Sequence, residues 1–175
     1  INEARRLGLK VTVSTAMFPS GHPATNEGLV YEESRWDGKT CLEYTPDGKM
    51  LDIREDKKKV GAFLNPVRKD VRKFALSIVR EIVKNYDVDA YALDYCRYPG
   101  DDSDFSADSH KAFEHYLGKK VRNFPDNIFT WNADGTKNPG VYYKEWWAFR
   151  ANVITSFVKE VRKEIHSINN KVELE

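Results

Sequence analysis

The sequence predicts an α/β fold of parallel strands joined by long amphipathic helices, with too few strands to close a barrel alone. Three observations carry this reading. Apolar residues recur at steps of three and four after Asn65-Pro66. A short apolar run, Asp89 to Asp94, follows directly and ends in a carboxylate. A second helical stripe fills the C-terminal part of the chain. Strands separated by long helices lie parallel, because parallel neighbours need a crossover where antiparallel ones need only a turn.

Taken in order, residues 1–7 read as the end of a helix stopped by Gly8, a residue that tolerates positive φ. Residues 10–16 alternate as a strand. Residues 18–64 are loop-like and rich in Gly and Pro. Within them, residues 29–33 and 40–45 are expected to pair as a hairpin. An excursion of this length between core elements is uncommon and often functional. Asn65 is expected to cap a long helix with Pro66 in its first turn. Val67, Val71, Phe74, Ala75, Ile78, Val79, Ile82, Val83 and Tyr86 form its buried stripe. The strand 89–94 comes next, ended by Arg97-Tyr98-Pro99-Gly100, and residues 101–104 are expected to be a solvated acidic loop. Ser106 is placed to cap a helix whose apolar side is Ala112, Phe113, Tyr116 and Leu117. After the loop-rich stretch 120–143, a last helix is expected over 144–168. Its predicted stripe is Trp147, Ile154, Phe157, Val158, Val161, Ile165 and Ile168. Residues 171–174 begin another strand. Two or three core strands fall short of the eight, and about 250 residues, of a closed barrel.

Composition sets bounds on function. The chain has 175 residues, 41% hydrophobic and 31% charged, as expected of one globular domain. A formal charge of +1 gives no global pull toward nucleic acid or membrane. Lys57-Lys58-Lys59 follows Arg54, Glu55 and Asp56, a mixture that reads as a solvated loop. Cys41 and Cys96 are too few for a disulfide framework, and Cys96 is expected to be a buried free thiol. No run of about 18 apolar residues exists to cross a bilayer. The aromatic share of 13% is high; most of these rings are expected in the core, though aromatic faces also suit sugar rings.

The segment Ala90-Tyr91-Ala92-Leu93-Asp94 carries the chemistry. Side chains alternate across a strand, so Ala90, Ala92 and Asp94 share one face, and Tyr91 and Leu93 share the other. The large face is suited to pack on the preceding helix. The small face looks into the crevice and ends in a carboxylate. Active sites of α/β enzymes lie at the C-terminal ends of parallel strands, where the loops converge. Arg97 is expected to pair with Asp94 and hold it ionised. Against this stands a structural reading, since Asp at a strand end is also a common turn former.

Asn65-Pro66, Tyr86-Asp87-Val88-Asp89 and Leu93-Asp94-Tyr95-Cys96-Arg97-Tyr98-Pro99 resemble the glycosyl hydrolase-like 10 family. Residues 1–16 resemble that family's preceding helix and strand, and Trp147 to Val153 its following Phe-Arg helix. Ala90 stands where the family usually has Gly, and the excursion 18–64 has no close match. The resemblance implies a partial (β/α) TIM-type barrel with long loop insertions. Residues 1–175 would be a single segment of a barrel domain, truncated at both ends. It further implies a glycoside hydrolase acting on a poly- or oligosaccharide, in a bacterial parent protein that is secreted or periplasmic. Asp94 would be the catalytic carboxylate, and Tyr95, Arg97, Tyr98 and His22 are candidates for contact with substrate.

Glycoside hydrolysis commonly uses two carboxylates, about 5–5.5 Å apart for retention or 6.5–9.5 Å for inversion. A partner for Asp94 is not evident. Glu145 is better read as a helix-start carboxylate favoured by the macrodipole, and Arg150 as a structural residue with a buried partner. His110 and His115 lack the i, i+4 spacing of a helical metal pair, and no phosphate loop or zinc ligand set occurs, so no cofactor or metal is expected. The expected partner is a carbohydrate, with no nucleic acid and no membrane insertion. Sheet edges left open by a partial barrel would allow self-association. The segment alone is expected to lack hydrolase activity. Two rivals remain at this point: a non-catalytic carbohydrate-binding or scaffold protein on a degenerate barrel, and a polysaccharide-modifying enzyme that is not a hydrolase.

Overall fold

A computed structural model describes residues 1–175. The first helix, α1 (Asn2–Arg6), is stopped where Gly8 takes a φ of +74°. The chain then enters β1 (Thr12–Ala16). The excursion that follows holds α2 (Leu29–Glu32), a 3₁₀ turn over Ser34–Trp36, β2 (Leu42–Tyr44) and β3 (Met50–Asp52). The long helix α3 (Lys69–Asn85) leads to β4 (Ala90–Asp94). Next come α4 (Ala107–Leu117), the short hairpin of β5 (Phe129–Trp131) and β6 (Lys137–Pro139), α5 (Tyr143–Ile168) and β7 (Glu173–Leu174).

The central sheet has the order β1-β4-β7, and both pairings are parallel. Each crossover runs through a long helix, α3 for β1 to β4 and α5 for β4 to β7. Val71, Ala75, Val79 and Val83 of α3 share one core with Tyr91 of β4 and Phe157, Val161 and Ile165 of α5. Val13 and Leu93, on the same sheet face as Tyr91, pack against that core. The other face is nearly bare. Thr12, Ser14, Ala16 and Asp94 are exposed there and Ala92 is half-buried. Three adjacent parallel strands, helices on one face and small residues on the other make a sector of a (β/α) barrel, its interior face open to solvent.

Two features pin this sector at the N-terminal ends of its strands. Arg5 of α1 forms ion pairs with Asp87 and Asp89. Asp89 also accepts a hydrogen bond from the Val11 backbone N–H at 2.6 Å. The Val11 hydrogen bond, then Arg5, hold the Asp89 carboxyl below its ordinary pKa. The Tyr86-Asp87-Val88-Asp89 motif is therefore a clasp between a helix and two strands, at the end of the barrel that serves stability.

Three sequence expectations shift. Residues 29–33 and 40–45 do not pair: Leu29–Glu32 is a short helix, and the hairpin joins β2 to β3 instead. Thr45-Pro46-Asp47-Gly48 supplies its turn, with Gly48 at φ +78°. The long helix starts at Lys69, four residues past Asn65. Asn65 Oδ1 does accept from Val67 N at 3.0 Å, but this closes a turn that precedes the helix. In α5 the buried stripe opens with Trp146, Phe149 and Val153, while Trp147 is half-buried. The reason is that this half of α5 covers a second, aromatic core with Phe105, Phe113 and Phe129. Only from Phe157 onward does it cover α3 and the sheet.

Candidate functional site

Asp94 is the last residue of the central strand, beside Ala16 of β1 in register. Its backbone carbonyl accepts from Met17 N at 2.9 Å, so β1 and β4 leave the sheet together. Its side chain is exposed on the open face, and Oδ1 accepts from the Tyr95 N–H at 2.9 Å. Tyr95 turns the chain sharply with a φ of +46°, a left-handed conformation that a residue with a Cβ rarely adopts. Strained residues of this kind persist where the surroundings hold them, and they concentrate at functional sites.

What holds Tyr95 is the excursion. Its ring meets Phe63 edge-on with centroids 6.0 Å apart. Arg97 lies with its guanidinium 5.1 Å from the Tyr95 ring centre and 5.8 Å from that of Phe63. Arg97 donates to the carbonyls of Tyr98 and Pro99, at 3.1 and 3.4 Å. The expected Arg97–Asp94 pair is absent, because the turn at Tyr95 sends the Arg97 head back onto its own loop. Tyr98 is buried, with the Arg150 guanidinium 4.4 Å from its ring centre. His22 is exposed in a tight turn where His22 N bonds to Glu27 O at 2.8 Å. Gly28 closes that turn at φ +102°; a Cβ there would lie 2.7 Å from the Gly21 Cα. The structure thus gathers Asp94, Tyr95 and Arg97 at one strand end, buries Tyr98 in the aromatic core against Arg150, and leaves His22 on a separate turn.

Beside the strand end, charged side chains lock the excursion to the loop after β4. Asp104 was expected in solvent but has no exposure at all. Its Oδ1 accepts from Leu42 N at 2.5 Å; its Oδ2 accepts from Asn65 Nδ2 at 2.6 Å and from Ser106 and Ser109 Oγ at 2.5 and 2.6 Å. Burial raises its pKa, and these hydrogen bonds oppose the rise. One carboxylate thereby ties β2, the entry to α3 and the start of α4. Ser106 also caps α4, accepting from Ser109 N. The Ser103-Asp104-Phe105-Ser106 cap is readable in sequence, but nothing local announces that Asn65, 39 positions away, completes it.

A second cluster joins Glu43, Lys59 and Asp102. Lys59 pairs with both carboxylates and is itself half-buried, so the lysine run is not wholly solvated as expected. Glu43 is only 2% exposed, and burial lifts its pKa to about 7 against the pull of Lys59. Burial lowers the Lys59 pKa, but its bonds to Glu43 and Asp102 outweigh that and leave it raised. Asp101 pairs with Lys137 of β6. Arg150 is buried between Tyr98 and Trp147 and donates to the Gly100 carbonyl, which fixes the loop to α5. Burial lowers its pKa. Glu145 sits in the first turn of α5.

No group of three or more His, Cys, Asp and Glu side chains is placed to hold a metal ion. Cys41 and Cys96 are both free. Cys41 is fully buried and its thiol donates to Leu64 O; Cys96 is half-buried, and burial pushes its thiol up to about 11. Neither is a ready nucleophile. No helix is long and apolar enough to cross a membrane.

Comparison with known proteins bears on the fold and the family. An S-layer-related protein of Niallia circulans is 36% identical over 168 residues. The match takes in 93% of this chain but only 10% of that protein's length. Among solved structures, α-L-fucosidase isoenzyme 2 from Paenibacillus thiaminolyticus superposes with a TM-score of 0.60 over the whole chain, which covers 22% of the fucosidase. At 16% identity that likeness speaks for the fold alone. The model of the glycosyl hydrolase-like 10 family matches residues 44–175, the stretch that runs from β2 through the Asp94 strand end to β7, and the chain belongs to that family.

Proposed function

We propose that this barrel sector contributes the catalytic carboxylate of a glycoside hydrolase acting on a poly- or oligosaccharide, and that the carboxylate is Asp94. The observation that carries the reading is an exposed Asp at the C-terminal end of the central strand, on the open interior face. Its role would be nucleophile, or stabiliser of the positive charge that develops on the sugar. Tyr95 and Arg97 beside it would contact sugar hydroxyls or ring faces. Tyr98, buried under Arg150, would support the loop they stand on. His22 would touch only an extended substrate.

The reading requires a second carboxylate. Asp101, Asp102, Asp104 and Glu43 are engaged in ion pairs or buried hydrogen bonds. We therefore place the partner acid in another part of a longer barrel domain, of which residues 1–175 form one segment. The isolated segment would then be inactive. The family and the S-layer-related relative support a bacterial surface or extracellular setting. The same engagement of nearby acids favours one rival, a carbohydrate-binding protein on a barrel that has lost catalysis.

The test is hydrolysis of a polysaccharide panel by the whole protein, wild type against Asp94→Asn. Asn keeps the acceptor for Tyr95 N, so the turn should survive. The expected outcome is a loss in kcat/KM of about 10²- to 10⁴-fold. Hydrolysis that persists in the variant would remove Asp94 from catalysis. Glycan binding without hydrolysis in both proteins would support the binding-protein reading.

A further inference from the structure

On the outer side of the sector, away from the open sheet face, α3, α4 and α5 leave a groove of about 510 Å³. Val67, Leu76, Tyr116, Phe149 and Val153 form an apolar lining that continues to the surface, where the Tyr116 side chain is exposed. Apolar surface of this kind, rimmed by charge, commonly marks an interaction site.

The charge around it is one-sided. Every acid lining the groove or the two depressions beside it is already matched. Arg68 pairs with Asp70 and Asp108, Lys120 with Glu114, and Arg72 with Glu160. Lys69 and Lys73 of the groove rim and Lys111 of the adjoining depressions are exposed and form no ion pair. A chain whose formal charge is only +1 thus sets Lys69, Lys73 and Lys111 unmatched around one apolar floor, with a fourth unpaired ammonium, that of Lys119 over the Tyr142 ring, in the depression beyond.

We propose that this groove docks an acidic amphipathic helix of another protein. Aliphatic side chains spaced at three and four would seat against Leu76, Tyr116 and Val153, with carboxylates over Lys69, Lys73 and Lys111. The apolar floor favours a peptide over an anionic glycan. Val67, Leu76 and Val153 offer no hydrogen bonds to a sugar, whereas they suit the branched side chains of a helix. The groove and Asp94 lie on opposite sides of the sheet, so the proposal stands independently of the hydrolase reading.

The test uses a labelled helical peptide of about 14 residues, long enough to span the groove, with leucines at steps of three and four and glutamates elsewhere. Fluorescence anisotropy should show saturable binding that weakens as salt rises toward about 1 M. Binding should weaken about tenfold or more with Lys69→Glu/Lys73→Glu/Lys111→Glu, and similarly with Leu76→Asn. Both variants should keep the wild-type circular dichroism. A version of the peptide with glutamine for glutamate should also bind more weakly. The proposal is overturned if the acidic peptide does not bind, or if it binds both variants as it binds the wild type. Displacement of the peptide by a linear polyuronate would assign the groove to an anionic glycan. A fall in sedimentation mass of the peptide-free protein on either groove substitution would assign it to a second copy of this chain. Either result would also overturn the proposal.

Discussion

Asp104 accepts five hydrogen bonds from four buried or half-buried residues, Leu42, Asn65, Ser106 and Ser109, and has no cation beside it. Removing an acceptor of this kind strands its donors, which costs more than the bonds themselves contribute. Asp104→Ala is expected to lower unfolding stability by about 3–5 kcal/mol, read from the urea midpoint. Asp104→Asn should cost less, because its remaining oxygen still accepts from one side. Glu43 gives a pH signature. Its native pKa of about 7 exceeds the ordinary 4.5, so the folded state binds this proton more tightly than the unfolded state. Stability from this group is full below about pH 4.5 and is lost as pH rises through 7, by up to about 3 kcal/mol. Burial of Asp104 tilts the curve the same way. Glu43→Gln should therefore reduce, not abolish, the fall in stability between about pH 5 and about pH 8, measured by denaturant titration.

At the scale of elements, α5 serves two cores in succession. Trp146, Phe149 and Val153 enter the aromatic cluster that supports the loop after β4, and Phe157, Val161 and Ile165 enter the core under the sheet. Phe105 and Trp146 stack with centroids 5.1 Å apart. Trp146→Ala should cost about 3–5 kcal/mol, whereas Trp147→Ala, which removes a half-buried ring resting on Arg150, should cost about 1–2 kcal/mol. Equal losses in thermal or denaturant unfolding would contradict the two-core description. The strand β4 has no such freedom. Alternation puts Tyr91 and Leu93 on the helices and leaves Asp94 on the open face, and a slip of one residue would exchange them.

For the whole molecule, three parallel strands end in two unpaired edges, and the face that lines a barrel interior is bare. Such edges template further pairing unless they are covered or charged. The 175-residue chain is expected to self-associate with rising concentration in sedimentation velocity, and Ser14→Lys, a charge on the bare face, to suppress this. A monomer at all concentrations would mean that the short strands protect themselves. A crevice needs walls from further strands, which one face of a three-stranded sector does not supply.

The strand ending in Asp94, the three long helices and the Ser106 cap were legible in sequence, because periodicity and capping are local and each is set by a few neighbouring residues. The family motifs were legible too, yet their physical roles were not. The Tyr-Asp-Val-Asp stretch reaches across 82 positions to Arg5, and Asn65 reaches Asp104 across 39. The excursion 18–64 could be recognised only as long and irregular. Tertiary packing decided that it buries Glu43, ties Asp104 and places Phe63 against Tyr95. It also decided that Arg97 turns away from Asp94 and that Trp146 rather than Trp147 leads its stripe. Sequence fixes contacts within a turn of helix or a step of strand, whereas the energy of a buried charge depends on which distant donors fold around it.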